Sequence, residues 1–233
     1  MVELLRNVRQ INQVSEEPYS LYDYFIPIEY LPSTFSLEGD EKLPLQLELN
    51  VNQSNVQIKK SRLASSKPTL GIKWRDEESS GSTAINFRAI ETSRNLDTDS
   101  LEELLTKLSD SYRIVSLQTN PSSRELEILN KHQAFFVKDS ELENGLALAE
   151  WMAAVDSIVT IDSHLVDLAD LQGIEANVLL PYAANWRWNS HKWFPSIETY
   201  RKRTEKSWSD AINQLVEKLK APSIELPLYA QAS

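Results

Sequence analysis

The sequence of 233 residues contains no cysteine, only five glycines and only three histidines. The missing cysteines exclude disulfides, thiolate catalysis and cysteine-ligated zinc. His132, His164 and His191 are spread so that no two lie at ligand spacing, which argues against a histidine-rich metal site. The few glycines form neither G-x-G-x-x-G nor GxxxxGKS/T, so a dinucleotide fingerprint and a P-loop are both unsupported. No apolar run approaches the roughly 18 residues of a membrane span. The opening MVELLRNVRQ is charged and amphipathic, not a signal peptide, so a cytoplasmic location is expected. The sequon at Asn52-Gln53-Ser54 therefore carries no expectation of glycosylation. Positive charge is also scarce. Lys and Arg number 24 against 34 Asp and Glu, a net charge of −10, which excludes a sequence-independent nucleic-acid surface. A small phosphate site is still allowed, because one arginine and a helix N-terminus can make one.

What is present is an ordinary globular composition, 41% hydrophobic and 25% charged, enough for a real core. Residues 3–13 predict a short helix with Leu4, Leu5, Val8 and Ile11 on one face. YDYFIPIEYLP (22–32) predicts a short strand and an irregular turn, broken by Pro27 and Pro32. Residues 38–68 are polar with alternating stretches, read as an edge hairpin or a linker, and SRLASSKP (61–68) is the boundary candidate.

From residue 69 onward a rhythm sets in. TLGIKW (69–74), YRIVSLQ (112–118), QAFFVKD (133–139), SIVTI (157–161), ANVLL (176–180) and IETYRKR (197–203) have strand character. Between them lie helical patterns. One follows Ser100, read as an N-cap with Glu103 at the capping-box position. Another opens near Pro121, a third covers 142–155, and HLVDLADLQG ends at Gly173. KSWSDAINQLVEKLK (206–220) closes the chain as an amphipathic helix. Apolar strands alternating with helices imply an α/β fold, a parallel sheet with helices on both faces.

Ligands of such sheets bind at the carboxyl ends of the strands. There the sequence places Trp74 and Arg75, then Gln118, then Asp162, Ser163 and His164 at a helix start, then Pro181 and Tyr182 followed by Trp186, Arg187 and Trp188. Each has a plain structural role open to it: Asp162 and Ser163 as caps, Trp74 and the other tryptophans as packing, Arg187 as a cation over an indole. Together on one sheet edge they suit a nucleotide diphosphate, with amides and charge for phosphate and an aromatic face for base or sugar.

The run DSIVTIDSHLVDLADLQG, then NVLLPYAANWRW, then SHKWFPSIETYRK, resembles the C-terminal domain of GT-B glycosyltransferases. It is similar in particular to the heptosyltransferase-like family 9 type found behind tetratricopeptide repeats in bacteria. LGIKW, Arg94-Asn95-Leu96 and IVSLQ resemble the family's V-G-L-x-W, Arg-Ser and V-S-L-Q segments, and YDYFIPIEYLP its F-D-x-x-I-P-L-x-S-L-P. The resemblance implies a Rossmann-like domain over 67–233, preceded over 1–66 by the remnant of an N-terminal domain and a linker. It implies a nucleotide-sugar donor as substrate, with no separate cofactor and no metal. Trp74, Arg75, Gln118, Asp162, Ser163, His164, Pro181, Tyr182, Trp186 and Arg187 are its candidate donor-binding residues. The sequence departs from the family's D-T-x-x-x-H-L-A-G: Asp167 stands at its histidine and Asp170 at its glycine. Acids there would repel a diphosphate. Two readings follow: a metal-independent sugar transferase, truncated or degenerate, or a non-catalytic interaction or oligomerisation module. A homodimer belongs to the second reading, and a partner chain supplying the missing N-terminal domain is the other expected partner.

Overall fold

A computed structural model describes residues 6–9, 48–76, 94–184, 186–189, 194 and 196–220. The expected strand at 22–32, most of the expected helix at 3–13, the polar loop at 77–93, His191 and Trp193 lie outside the described residues.

Six strands form one sheet: β1 (Thr69–Lys73), β2 (Arg113–Ser116), β3 (Phe135–Phe136), β4 (Ser157–Ile161), β5 (Ala176–Leu180) and β6 (Ile197–Arg201). All pair in parallel, in the order β3-β2-β1-β4-β5-β6. Every residue of β1 and β5 is buried, as a sheet covered on both faces requires. The α/β, Rossmann-like expectation holds.

The helices are α1 (Gln53–Arg62), α2 (Thr98–Leu108), α3 (Ser123–Lys131), α4 (Asp139–Leu142), α5 (Gly145–Met152), α6 (His164–Gln172) and α7 (Ser209–Lys220). Leucines of α2, Ile128 and Leu129 of α3, and Ile212 and Leu215 of α7 cover one sheet face. Val56 of α1, Trp151 of α5 and Leu165 of α6 cover the other.

Several sequence expectations need correction. The hairpin or linker reading fails at α1. Asn52 caps that helix by accepting from the Ser54 and Asn55 amides, and Lys59 of α1 makes a buried ion pair with Glu150 of α5 at 2.8 Å. The cap of α2 is Asp97, not Ser100. Ser100 sits a turn inside and donates its amide to Asp97, while Glu103 accepts from Ser209 of α7. The capping box falls on α3 instead, between Ser122 and Glu125. The continuous helix over 142–155 is broken, because Asn144 caps a fresh start at Gly145.

Two glycines have demonstrable roles. A Cβ on Gly71 would meet Leu117 Cδ1 at 2.8 Å, so any larger residue in β1 would have to displace that leucine. Gly173 ends α6 in the left-handed region at φ 63°, as the sequence predicts.

Candidate functional site

The strand order reverses between β1 and β4, so the chain leaves these two neighbours in opposite directions and opens a crevice at their carboxyl ends. β1 ends at Lys73, followed by Trp74 and Arg75; β4 is followed by Asp162 and the start of α6. Parallel pairing sets Lys73 opposite Thr160.

The β4 side is built around Ser163. Its hydroxyl lies 3.0 Å from Thr160 Oγ1 and accepts from the Leu165 amide at 3.3 Å, capping α6. Asp162 and Ser163 are buried, while His164 and Asp167 reach the surface. Arg187, in a 3-10 turn at Trp186–Asn189, donates to the carboxylates of both Asp162 and Asp167, the latter at 3.1 Å. Its guanidinium also lies 4.9 Å from the Trp188 ring centroid. Trp188 in turn packs with Val166, Val178 and Leu180. The pair of acids is thus bridged by one arginine. Loss of water raises the Asp167 carboxyl above its usual range; the Arg187 charge opposes that rise and Asp162 adds to it. Desolvation raises Asp170 as well, with Asp167 adding to it.

The β1 side is a hydrogen-bonded frame. Trp74 is 1% exposed, and its indole N–H donates to Glu125 at 2.6 Å. Arg75 donates to the same carboxylate at 3.2 Å and to the Asn120 carbonyl at 2.8 Å. The Gln118 side chain, buried, accepts from the Arg75 amide at 3.0 Å. Burial alone would raise the Glu125 carboxyl, but its bonds to Arg75, Trp74 and Ser122 hold it below the usual range. The Trp74 ring and the Gln118 amide therefore shape the edge from within.

Three residues here are not among the candidate donor-binding residues. Lys73 is 4% exposed and pairs with Asp76 at 3.3 Å. Arg94 reaches Asp76 at 3.6 Å, and Asn95 brackets the Asp76 backbone by accepting its N–H and donating to its carbonyl. The Arg94-Asn95-Leu96 segment thus returns to the end of β1, where the Leu96 amide donates to the Trp74 carbonyl. His164 opens α6 and is exposed on the β4 side. Desolvation, then the Lys73 charge, lowers its imidazole below the usual value, against the pull of Asp76 and Asp167. One signal in the sequence marked Lys73: it is the lone charge in the run TLGIK.

Pro181 is buried, and Tyr182 is 53% exposed at the end of β5. The Trp186 side chain lies outside the described residues. Among the described residues, no group of three or more His, Asp or Glu side chains could hold a metal ion. None of their helices is long and apolar enough to cross a membrane.

The chain is similar in fold to several solved structures. ADP-heptose lps heptosyltransferase II of E. coli matches with a TM-score of 0.52 and 18% identity, over 75% of this chain and 52% of that one. The glycosyl transferase family 9 from Veillonella parvula DSM 2008 matches at 0.47 and 11% identity, over 77% of this chain and 47% of that one. E. coli heptosyltransferase WaaC with ADP-2-deoxy-2-fluoro heptose matches at 0.44 and 14%, over 70% and 47%. The chain spans about half the length of each of these structures. No protein-family model matches the sequence, and no curated protein matches it. The class defined is a Rossmann-like α/β protein. More narrowly, its fold is similar to that of the heptosyltransferase II.

Proposed function

We propose that the chain binds a nucleotide-sugar donor in the crevice between β1 and β4. The observation that carries this reading is that Lys73 lies opposite Thr160, whose hydroxyl is 3.0 Å from Ser163 at the capped start of α6, at the point where the strand order reverses. A helix start supplies amides and a positive dipole end to a phosphate, and Lys73, paired with Asp76, supplies a charge shielded from water that a phosphate would share. Of the two acids that the sequence sets against a diphosphate, Asp167 is held by Arg187, so its repulsion is muted. Tyr182 offers an exposed ring for the base or sugar. An ADP-sugar is the natural first probe, because a heptosyltransferase that uses ADP-heptose has the same fold. Transfer would proceed by displacement at the anomeric carbon: an acceptor hydroxyl forms the new C–O bond and gives up its proton, while the nucleoside diphosphate leaves, stabilised by Lys73 and the helix amides.

Photoaffinity labelling with an azido-ADP-sugar tests the placement. Labelled peptides should contain residues 74–76, 162–167 or 181–187. Labelling confined to the opposite end of the strands would refute it.

A second reading is a non-catalytic relative that serves as an interaction or oligomerisation module. One observation favours it: Arg75 is engaged by Glu125 and by the Asn120 carbonyl. A dimer by light scattering, with no nucleotide-sugar bound, would select this reading.

A further inference from the structure

A second cleft lies at the other end of the sheet, where the chain enters β1, β2 and β3. It encloses about 540 Å³ and is lined by Lys67, Ser109, Asp110, Arg113, Lys131 and His132 among others. The helices α2 and α3 both end here. Helix ends carry negative partial charge from unsatisfied carbonyls, which would normally turn an anion away.

These carbonyls are already used. Leu105 O accepts from the Ser109 amide, Leu108 O from those of Ser111 and Tyr112, and Ser109 O from Lys67 Nζ at 2.9 Å. At the end of α3, Ile128 O, Leu129 O and Asn130 O accept from His132, Ala134 and Gln133. What remains unmatched is on the nitrogen side. Arg113 Nε and His132 Nε2 are both buried without a hydrogen-bond partner. The other imidazole nitrogen, Nδ1, sits 3.1 Å from Ser109 Oγ. Arg113 lies 5.8 Å over the Phe135 ring and has no carboxylate partner among the described residues. Lys131 is neutralised by Glu102, and Asp110 contributes one negative charge. Lys67 and Arg113 leave the cleft net positive. Buried nitrogens without acceptors are costly, and a ligand rich in acceptor oxygens would satisfy them.

We propose that this cleft binds the phosphate group of a small phosphorylated molecule, with Arg113 and Lys67 supplying charge and His132 a hydrogen bond. The site is separate from the crevice between β1 and β4 and does not depend on it.

Calorimetric titration of the full chain with inorganic phosphate, and separately with glycerol 3-phosphate, tests this. Millimolar or tighter binding is expected. Lys67→Gln and Arg113→Gln should each weaken it by about tenfold, the worth of one charged hydrogen bond. Lys218→Gln, which removes an exposed charge on α7 that lines neither site, should leave it unchanged. Lys67 is exposed, so its variant reports on binding even if Arg113→Gln unfolds. Tighter binding of the ester points to a metabolite, and equal binding to free phosphate; both support the site. Absence of binding by either probe, or affinity that follows Lys218 and ignores Lys67, would overturn the proposal.

Discussion

The guanidinium of Arg187 donates to the carboxylate of Asp162, joining the turn after β5 to the end of β4 across 25 residues of sequence. The Asp162 side chain is 8% exposed, and Arg187 reaches on to Asp167. Removing the arginine leaves a buried carboxylate unpaired. Arg187→Gln should therefore cost about 2 kcal/mol, less than a fully buried pair because the arginine is partly solvated. Arg187→Lys should recover little, since one ammonium lacks the fork that spans two carboxylates. Urea unfolding of the three proteins measures this, and a loss within the noise of wild type would contradict the bridging role.

The Asp167 carboxyl titrates above its ordinary value of 3.8 in the fold, chiefly through desolvation. A carboxyl whose native pKa is raised costs stability when ionised. That cost is absent below 3.8, grows as pH rises through the native value, and is complete at neutral pH. Asp167→Asn should thus be more stable than wild type at pH 7 and equal to it in acid. Unfolding free energies taken across that range decide it. A gap that widens on acidification would have the wrong sign.

Glu125 serves three partners at once: the Trp74 indole, the Arg75 guanidinium and the Ser122 amide. Glu125→Ala strands a buried indole N–H and removes a helix cap, with an expected cost of about 3 kcal/mol. Glu125→Gln keeps an acceptor and should lose less. Thermal and urea denaturation should rank the proteins wild type, Gln, Ala. An Ala variant as stable as wild type would show that the frame does not hold the β1 edge.

The strands were the most legible elements. SIVTI and ANVLL match β4 and β5 residue for residue, because a strand buried on both faces is mostly apolar rather than alternating. The α1 helix was hidden because its sequence, QSNVQIKKSR, shows little apolar periodicity; Val56 and the Lys59–Glu150 pair hold it only in tertiary context. Sequence also placed Arg187 over a tryptophan, which Trp188 satisfies. Its grip on Asp162 and Asp167 depends on how far the turn after β5 folds back, and spacing carries no record of that. Lys73 was overlooked for a related reason. A lysine ending an apolar run looks like a strand terminus reaching water, whereas the return of Arg94 and Asn95 encloses it.

The donor crevice is tested most directly by calorimetric titration of the intact chain with ADP-, GDP- and UDP-sugars. At least one should bind more tightly than about 1 mM, or roughly 4 kcal/mol, and Lys73→Met and Ser163→Ala should each weaken that binding severalfold. Folded protein that binds none of the panel, or binds one with an affinity indifferent to both substitutions, would contradict the account.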